Sequence, residues 1–382
     1  MIKYIGVDDP QQHLFENQYH TPDGMCYNSY LICDEQTAIL DTSDARTTQQ
    51  WLDNLAAALE GHQPAYLIIQ HLEPDHSAGI TAAMKQYPGL KLVCSAKAAQ
   101  MLPQYVDEAV YADRIQTVKE GDTLSLGSHT LQFIMAPMVH WPEVMVTYDS
   151  TEHVLFSADG FGKFGVYDAD PDDWACEGRR YYFNICGKYG QPVSTLLKKA
   201  AALDIRKIMP LHGPVLEGQK MAEAIRLYTI WSSYGVETEG VFIATASIHG
   251  NTAAATQRLA DMLKAAGCPK VATADLCRDD MAEAVEDAFR FGNIVLAASS
   301  YDAGVFTPMA DFLHHLAAKG WQRRRVALIE NGSWAPSAAK TMRAQLEAMK
   351  DITIVEPVVT LRGRMKADDE AKLQELINHI TN

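Results

Sequence analysis

The stretch that most limits what this chain can fold into is His71-Leu72-Glu73-Pro74-Asp75-His76, which follows the apolar run 65–69. Four metal-capable side chains fall within six residues, where a strand gives way to a loop. Side chains alternate along an extended chain, so His71, Glu73 and Asp75 are expected on one side. Zinc sites favour His and Cys, whereas a donor set rich in carboxylates suits harder ions such as iron or manganese. Three further candidates each end a strand-like run. His140 follows 131–136, Asp159 follows 154–157 and His212 follows 207–211. Singly, each is an ordinary polar loop residue. Together, at strand ends that a rigid scaffold can hold, they read as the remainder of one site.

The chain has two rhythms. Residues 1–236 read as short strands in hairpins, interrupted by helices. Runs 29–33 and 37–40 flank Asp34-Glu35, and runs 144–148 and 154–157 flank a second turn. Helical periodicity covers 47–59 and 77–87, the latter opened by a Ser77 cap, and a last helix covers 217–232. From Gly240 onward strand-like runs at 241–245, 271–276, 294–298, 326–329 and 352–355 alternate with helices such as 252–266 and 282–291. Five strands alternating with helices predict a parallel, doubly wound sheet over 237–382.

The first strand of that half leads through Ser247-Ile248-His249-Gly250-Asn251-Thr252 into a helix. Hydroxyl, amide and backbone donors at a helix N-terminus make a phosphate nest. No GKS or GKT follows this loop and it carries no G-x-G-x-x-G fingerprint, which argues against an NTPase or a dinucleotide fold for this half. Ser299-Ser300-Tyr301-Asp302-Ala303-Gly304 follows the third strand, and Asn331-Gly332-Ser333-Trp334 follows the fourth. In such sheets ligands sit beyond the strand C-termini. Polar loops there can hold a planar ring, with Tyr301 or Trp334 stacked on it.

A net charge of −15 argues against a nucleic-acid partner, which needs clustered Lys and Arg. The one dense basic run, Arg323-Arg324-Arg325, reads as a solvated helix end or loop before a strand. No apolar stretch reaches the roughly 20 residues of a bilayer span, and Met1-Ile2-Lys3-Tyr4 lacks a signal-peptide core. The seven cysteines form no C-x-x-C pair, which suits buried thiols in a reducing compartment and rules out a built-in rubredoxin site. A cytoplasmic protein with no membrane segment is expected.

The order H-x-E-x-D-H, then His, Asp and His, resembles the metallo-β-lactamase fold. Through Glu73 it resembles the flavodiiron branch, because hydrolytic zinc members usually carry His at that position. The loop 247–252 resembles the flavodoxin phosphate loop [ST]-x-x-G-[NS]-T. There are departures: the family more often has Tyr where His249 stands, and a Gly-Ser-Tyr-Gly-Trp type of third loop, from which the loop ending Gly332-Ser333-Trp334 differs. The resemblance implies an αβ/βα sandwich over 1–236 and a flavodoxin-like FMN domain over 237–382. It implies His71, Glu73 and His140 on one iron, Asp75, His76 and His212 on the other, and Asp159 bridging. Some family members leave the His at the position of His76 unligated. It further implies reduction of dioxygen to water and/or nitric oxide to nitrous oxide, with electrons from rubredoxin or another external donor through FMN. His20 is one proton-donor candidate by resemblance, and Tyr182 or Tyr181 are secondary ones. A homodimer or dimer of dimers is implied, with the FMN of one chain near the irons of its partner. Two other readings compete: a zinc hydrolase with an appended flavodoxin, and an electron-transfer flavoprotein without diiron catalysis.

Overall fold

The computed structural model describes residues 1–170 and 172–381. Contacts divide the chain into one unit of Met1–Tyr182 with Gln191–Thr229 and another of Phe183–Gly190 with Ile230–Asn382.

The first unit holds two six-stranded sheets. One runs Ile2–Tyr4, Tyr30–Ile32, Ala38–Leu40, Tyr66–Ile69, Lys91–Ser95 and Ile115–Val118. The other runs Thr123–Ser125, Thr130–Met135, Met145–Asp149, Val154–Phe156, Lys207–Met209 and Leu216–Glu217. The hairpins expected around Asp34 and after Asp149 are antiparallel pairs of these strands. Alternation explains the layering. In the first sheet Leu31, Ile39, Leu67 and Ile69 join one core with Trp51, Leu52, Leu55 and Leu59 of the helix Thr48–Leu59. Their sequence neighbours Tyr30, Ile32, Leu40 and Ile68 point the other way, into a core with Leu131, Phe133, Met145 and Phe156 of the second sheet. Trp51, Leu55 and Leu59 recur at intervals of four, with Leu52 three before Leu55, so all four lie on one face, and each contributes roughly 2 kcal/mol by burial.

Two local expectations fail. Pro74 occupies the first turn of a short helix, Pro74–Ser77, because its fixed φ suits that position. Asp75 therefore leaves the extended alternation that His71 and Glu73 keep. Ser77 is also no cap: its hydroxyl donates to Leu72 O, and the next helix, Ile80–Gln86, starts after Gly79.

In the second unit five parallel strands stand in the order Val271–Asp275, Thr238–Ala246, Phe291–Tyr301, Arg324–Asn331, Ile352–Leu361. Val241, Ile243, Val295, Ala297 and Ile329 pack under the helices Asn251–Ala265 and Ala367–Ile380. Phe242, Ile294, Leu296 and Leu328 are equally buried, as a sheet covered on both faces requires. Arg324 does not follow the solvated reading of its basic run. It opens a strand, is buried, and donates to the carbonyls of Tyr234, Gly235, Phe289 and Gln322. Five rigid donors let one guanidinium satisfy several chain ends that water does not reach. No described helix is long and apolar enough to cross a membrane.

Candidate functional site

The candidate metal donors sit just beyond strand ends. His71 follows Tyr66–Ile69, His140 follows Thr130–Met135, Asp159 follows Val154–Phe156 and His212 follows Lys207–Met209. The last two strands are parallel neighbours, so Asp159 and His212 emerge at the same edge. Gly213 supports the turn after His212 with φ +81°, a conformation other residues rarely adopt.

All seven donors come together, in two groups. His71, Glu73, His140 and Asp159 form one; Asp75, His76 and His212 form the other. Glu73 Oε2 lies 3.2 Å from His71 Nε2 and 3.0 Å from His140 Nε2. Asp159 reaches both groups. Its Oδ2 is 3.2 Å from His140 Nε2 and 3.6 Å from His71 Nε2, while Oδ1 is 3.1 Å from His76 Nε2 and 4.0 Å from His212 Nε2. Asp75 Oδ2 is 3.2 Å from His76 Nε2 and 3.3 Å from His212 Nε2, and those two ring nitrogens are 3.1 Å apart. The helical turn at Pro74 is what sends Asp75 to the second group, away from His71 and Glu73.

The chemistry of the cluster asks for cations. Both oxygens of Asp75 and Oδ1 of Asp159 are buried and accept no hydrogen bond; the imidazoles near them lie off hydrogen-bond geometry. Buried carboxylates left so are costly, and a metal ion would satisfy them. The charges agree. Burial alone would lower the pKa of His140, yet hydrogen bonds to Asp159 and Glu73 carry it up to about 9. Burial likewise opposes protonation of His71, and the carboxylates of Asp159, Glu143 and Glu73 outweigh it. Burial would raise Glu73, but His140 and His71 bring it down to about 2. The pocket thus stabilises positive charge between three carboxylates, which is what a pair of divalent ions would supply.

Several supports were not read from the sequence. Asp41, at the end of Ala38–Leu40, accepts from the backbone N–H of Gln70 at 2.8 Å and of His71 at 3.3 Å. Burial pushes its carboxyl up to about 6. Glu143 accepts from His71 Nδ1–H at 2.8 Å. Asn28 Nδ2 donates to Pro210 O at 2.9 Å and Gly213 O at 2.7 Å, holding the His212 loop from both sides. Only Glu143 stands near a ligand segment in the sequence, three residues after His140, and a carboxyl so placed is common on any surface; Asp41 and Asn28 are far from the segments they support.

The proton-donor candidates part ways. His20 is exposed in the small antiparallel pair Leu14–Phe15 and Tyr19–His20, and belongs to neither donor group. Tyr182 packs edge-on against Tyr228 at 5.0 Å. Tyr181 is the one beside the donors, its ring 5.6 Å from that of His212.

In the second unit the three candidate loops line one cavity of 560 Å³, within the usual range for a cofactor-sized molecule. Gly250 and Gly304 stand just outside its lining, while Ala335, Pro336, Ser337 and Gly363 join it. The helix Asn251–Ala265 points its N-terminus there, with Gly250 in a left-handed conformation and no side chain capping the free N–H groups. Thr252 Oγ1 lies 3.1 Å from Ser299 Oγ, which ties the first loop to the second. Ser300 accepts from Ser337 and Ala338 N–H, tying the second to the third. Asp302 and Ala303 both have positive φ between the paired Tyr301 and Gly304, the geometry of a tight hairpin turn. Asn331 and Gly363 exchange two hydrogen bonds of 2.9 Å, which adds a fourth loop that the sequence did not single out. Tyr301 is 46% and Trp334 89% exposed at this mouth. A slot edged by exposed aromatics and closed by a helix N-terminus fits a phosphate-bearing planar cofactor such as FMN.

Comparison with known proteins agrees with both halves. Residues 25–213 match the family model "ODP family beta lactamase". An anaerobic nitric oxide reductase flavorubredoxin of Vibrio vulnificus is 25% identical over 382 residues, covering 97% of this chain and 76% of its own. One from Escherichia coli O1:K1 is also 25% identical, over 97% of this chain and 78% of its own. Among solved structures, a flavodiiron protein from Giardia intestinalis superposes with TM-score 0.91 at 23% identity, covering 100% of this chain and 93% of that one. The rubredoxin oxygen:oxidoreductase of the anaerobe Desulfovibrio gigas gives TM-score 0.91 at 24% identity, covering 100% and 96%. These two likenesses speak to the fold.

Proposed function

We propose that this chain, which is similar to anaerobic nitric oxide reductase flavorubredoxins over 97% of its length and matches a lactamase-type family model over 25–213, is a flavodiiron oxidoreductase reducing dioxygen to water and/or nitric oxide to nitrous oxide at a diiron centre. The observation that carries the reading is Asp159, with one carboxylate oxygen turned to each of two donor groups. Glu73 sets the metal: an oxygen donor where zinc hydrolases carry imidazole favours iron. His71, Glu73 and His140 would hold one ion, Asp75, His76 and His212 the other, with Asp159 shared. Bound there, two ferrous ions would supply electrons and a Lewis-acidic face to a diatomic oxidant, and FMN would replenish them from a rubredoxin-type donor.

The chain's own residues have definite tasks in this reading. Glu73, Asp75 and Asp159 offset the metal charge, and burial of His71, His76 and His212 limits water at the donor atoms. The helix N-terminus at Gly250–Thr252 would hold the flavin phosphate, and the loops at Ser299–Gly304 and Asn331–Trp334 the ring. Tyr181 is better placed than Tyr182 or His20 to hold a proton near His212. A homodimer or dimer of dimers in the cytoplasm completes the proposal, since exposed Tyr301 and Trp334 offer apolar surface at the flavin mouth.

Anaerobically purified protein is expected to contain about two irons and one FMN per chain, and to consume dioxygen or nitric oxide when reduced rubredoxin is supplied. Zinc in both positions after growth in iron-replete medium would overturn the assignment in favour of a hydrolase. Iron-free, FMN-loaded protein that still passes electrons without reducing either gas would favour the electron-transfer reading. Mixing His71→Ala/Asp159→Ala with Gly250→Val/Thr252→Val chains tests the dimer: activity should return only in mixed dimers.

A further inference from the structure

We propose that Glu143 is a positioning residue that fixes His71 in its Nδ1–H tautomer and makes the metal position of His71, Glu73 and His140 the tighter of the two. The inference rests on the dinuclear reading above and adds an inequality between its halves.

Glu143 and His71 are both buried, and His71 Nδ1–H donates to Glu143 Oε1 at 2.8 Å. A carboxylate only accepts, so the proton belongs on Nδ1 and the Nε2 lone pair faces Glu73 and Asp159. The same Oε1 accepts from Leu72 N–H at 3.0 Å, and Ser95 Oγ–H donates to Glu143 O at 2.8 Å. Two donors therefore hold the carboxylate oxygen, and a third holds the backbone that carries it. Oε2 accepts no hydrogen bond. Burying a carboxylate with half its acceptors unused is a poor packing choice, and a glutamine or methionine would serve a core better. What the charge does supply is electron density to the imidazole behind which it sits.

The two histidines of the second group lack this. His212 Nδ1–H donates to a neutral carbonyl, Cys26 O, at 2.7 Å. His76 Nδ1 is buried and, among the described residues, has no hydrogen-bond partner. The first group thus has carboxylates Glu73 and Asp159 at the donor atoms and Glu143 behind them, against Asp75 and Asp159 for the second. More negative charge and a more basic imidazole predict tighter binding in the first group.

The test is anaerobic cobalt(II) titration of metal-stripped, FMN-loaded full-length protein, followed by visible absorption and calorimetry. Wild type should take up two ions in unequal steps. Glu143→Gln, of equal size but neutral, should weaken the tighter step by about 10–100-fold and leave the other within about twofold, with no fall in the melting temperature of the metal-free protein. Glu143→Asp, which keeps the charge, should lie nearer wild type than Gln does. Unchanged steps in Glu143→Gln, or equal weakening of both, would overturn the proposal while leaving the two-ion site standing. Fewer than two ions in wild type would remove the dinuclear reading itself and this inference with it. Nitrogen-15 NMR of the zinc-loaded wild type gives a check that needs no variant: a slowly exchanging His71 Nδ1–H is expected, and an Nε2–H tautomer overturns the proposal.

Discussion

At the residue scale, the identity of one donor decides what the cluster can hold. Glu73 lies between two imidazoles, 3.2 Å and 3.0 Å from their Nε2 atoms, and in the proposed site it offers oxygen where a zinc hydrolase would carry imidazole. Glu73→His should shift retention from iron to zinc and abolish gas reduction, read by metal analysis of protein grown with both metals. Iron content and turnover equal to wild type would remove Glu73 from the donor set. At the flavin mouth, Trp334 and Tyr301 spend exposed aromatic surface that a folded monomer has no reason to show. Tyr301→Ala or Trp334→Ala should weaken FMN by roughly 1 kcal/mol or more, a fivefold rise in Kd, if the ring stacks there. Equal affinity in both variants removes the stacking role and leaves the phosphate loop untouched.

At the element scale, the helix Asn251–Ala265 works through its free end. Gly250 leaves the first-turn N–H groups uncapped, and Thr252 Oγ1 stands beside Ser299 Oγ. Thr252→Val should therefore loosen FMN more than riboflavin, which lacks the phosphate; equal losses for the two would place Thr252 on the ring instead. The turn at Asp34 carries a pH signature. Slight burial opposes it, but the N–H groups of His129 and Glu35 and the Ser128 donors bring its carboxyl down to about 2. The folded value lies below the unfolded one near 4, so the native state binds fewer protons. Its contribution is complete above about pH 4 and is lost as pH falls toward 2. Asp34→Asn should flatten that part of the acid-unfolding curve relative to wild type, measured by circular dichroism at constant salt; superimposable curves would show the turn to be energetically silent.

At the scale of the whole molecule, the two units should answer differently to metal removal. The donor groups belong to the first unit, and their unsatisfied carboxylates are what an ion stabilises. A site held at a hundred times Kd adds about 2.7 kcal/mol to the unit that binds it. Chelation should lower the calorimetric transition of the first unit and leave that of the flavin unit in place. A single transition shifting as a whole would mean that the units unfold together.

What the sequence determined by itself was whatever depends on period and type. The alternation in Tyr66–Ile69 and the β-α rhythm after Gly240 dictate strands and layers, because each face of a strand must find its own core. That the seven candidate residues would cluster and the three loops would line one cavity was also legible, since strand ends and helix starts are marked locally by polar residues and glycine. Tertiary structure decided what depends on distant neighbours. Pro74 opened a helical turn and so sent Asp75 to the other donor group. Arg324 was drawn from a basic run into the interior by carbonyls at Tyr234 and Phe289. Glu143, an unremarked carboxyl in a loop, came to rest behind His71, 72 positions earlier in the chain. No local pattern encodes that pairing, because a carboxylate's role is set by which imidazole the packed fold brings to it.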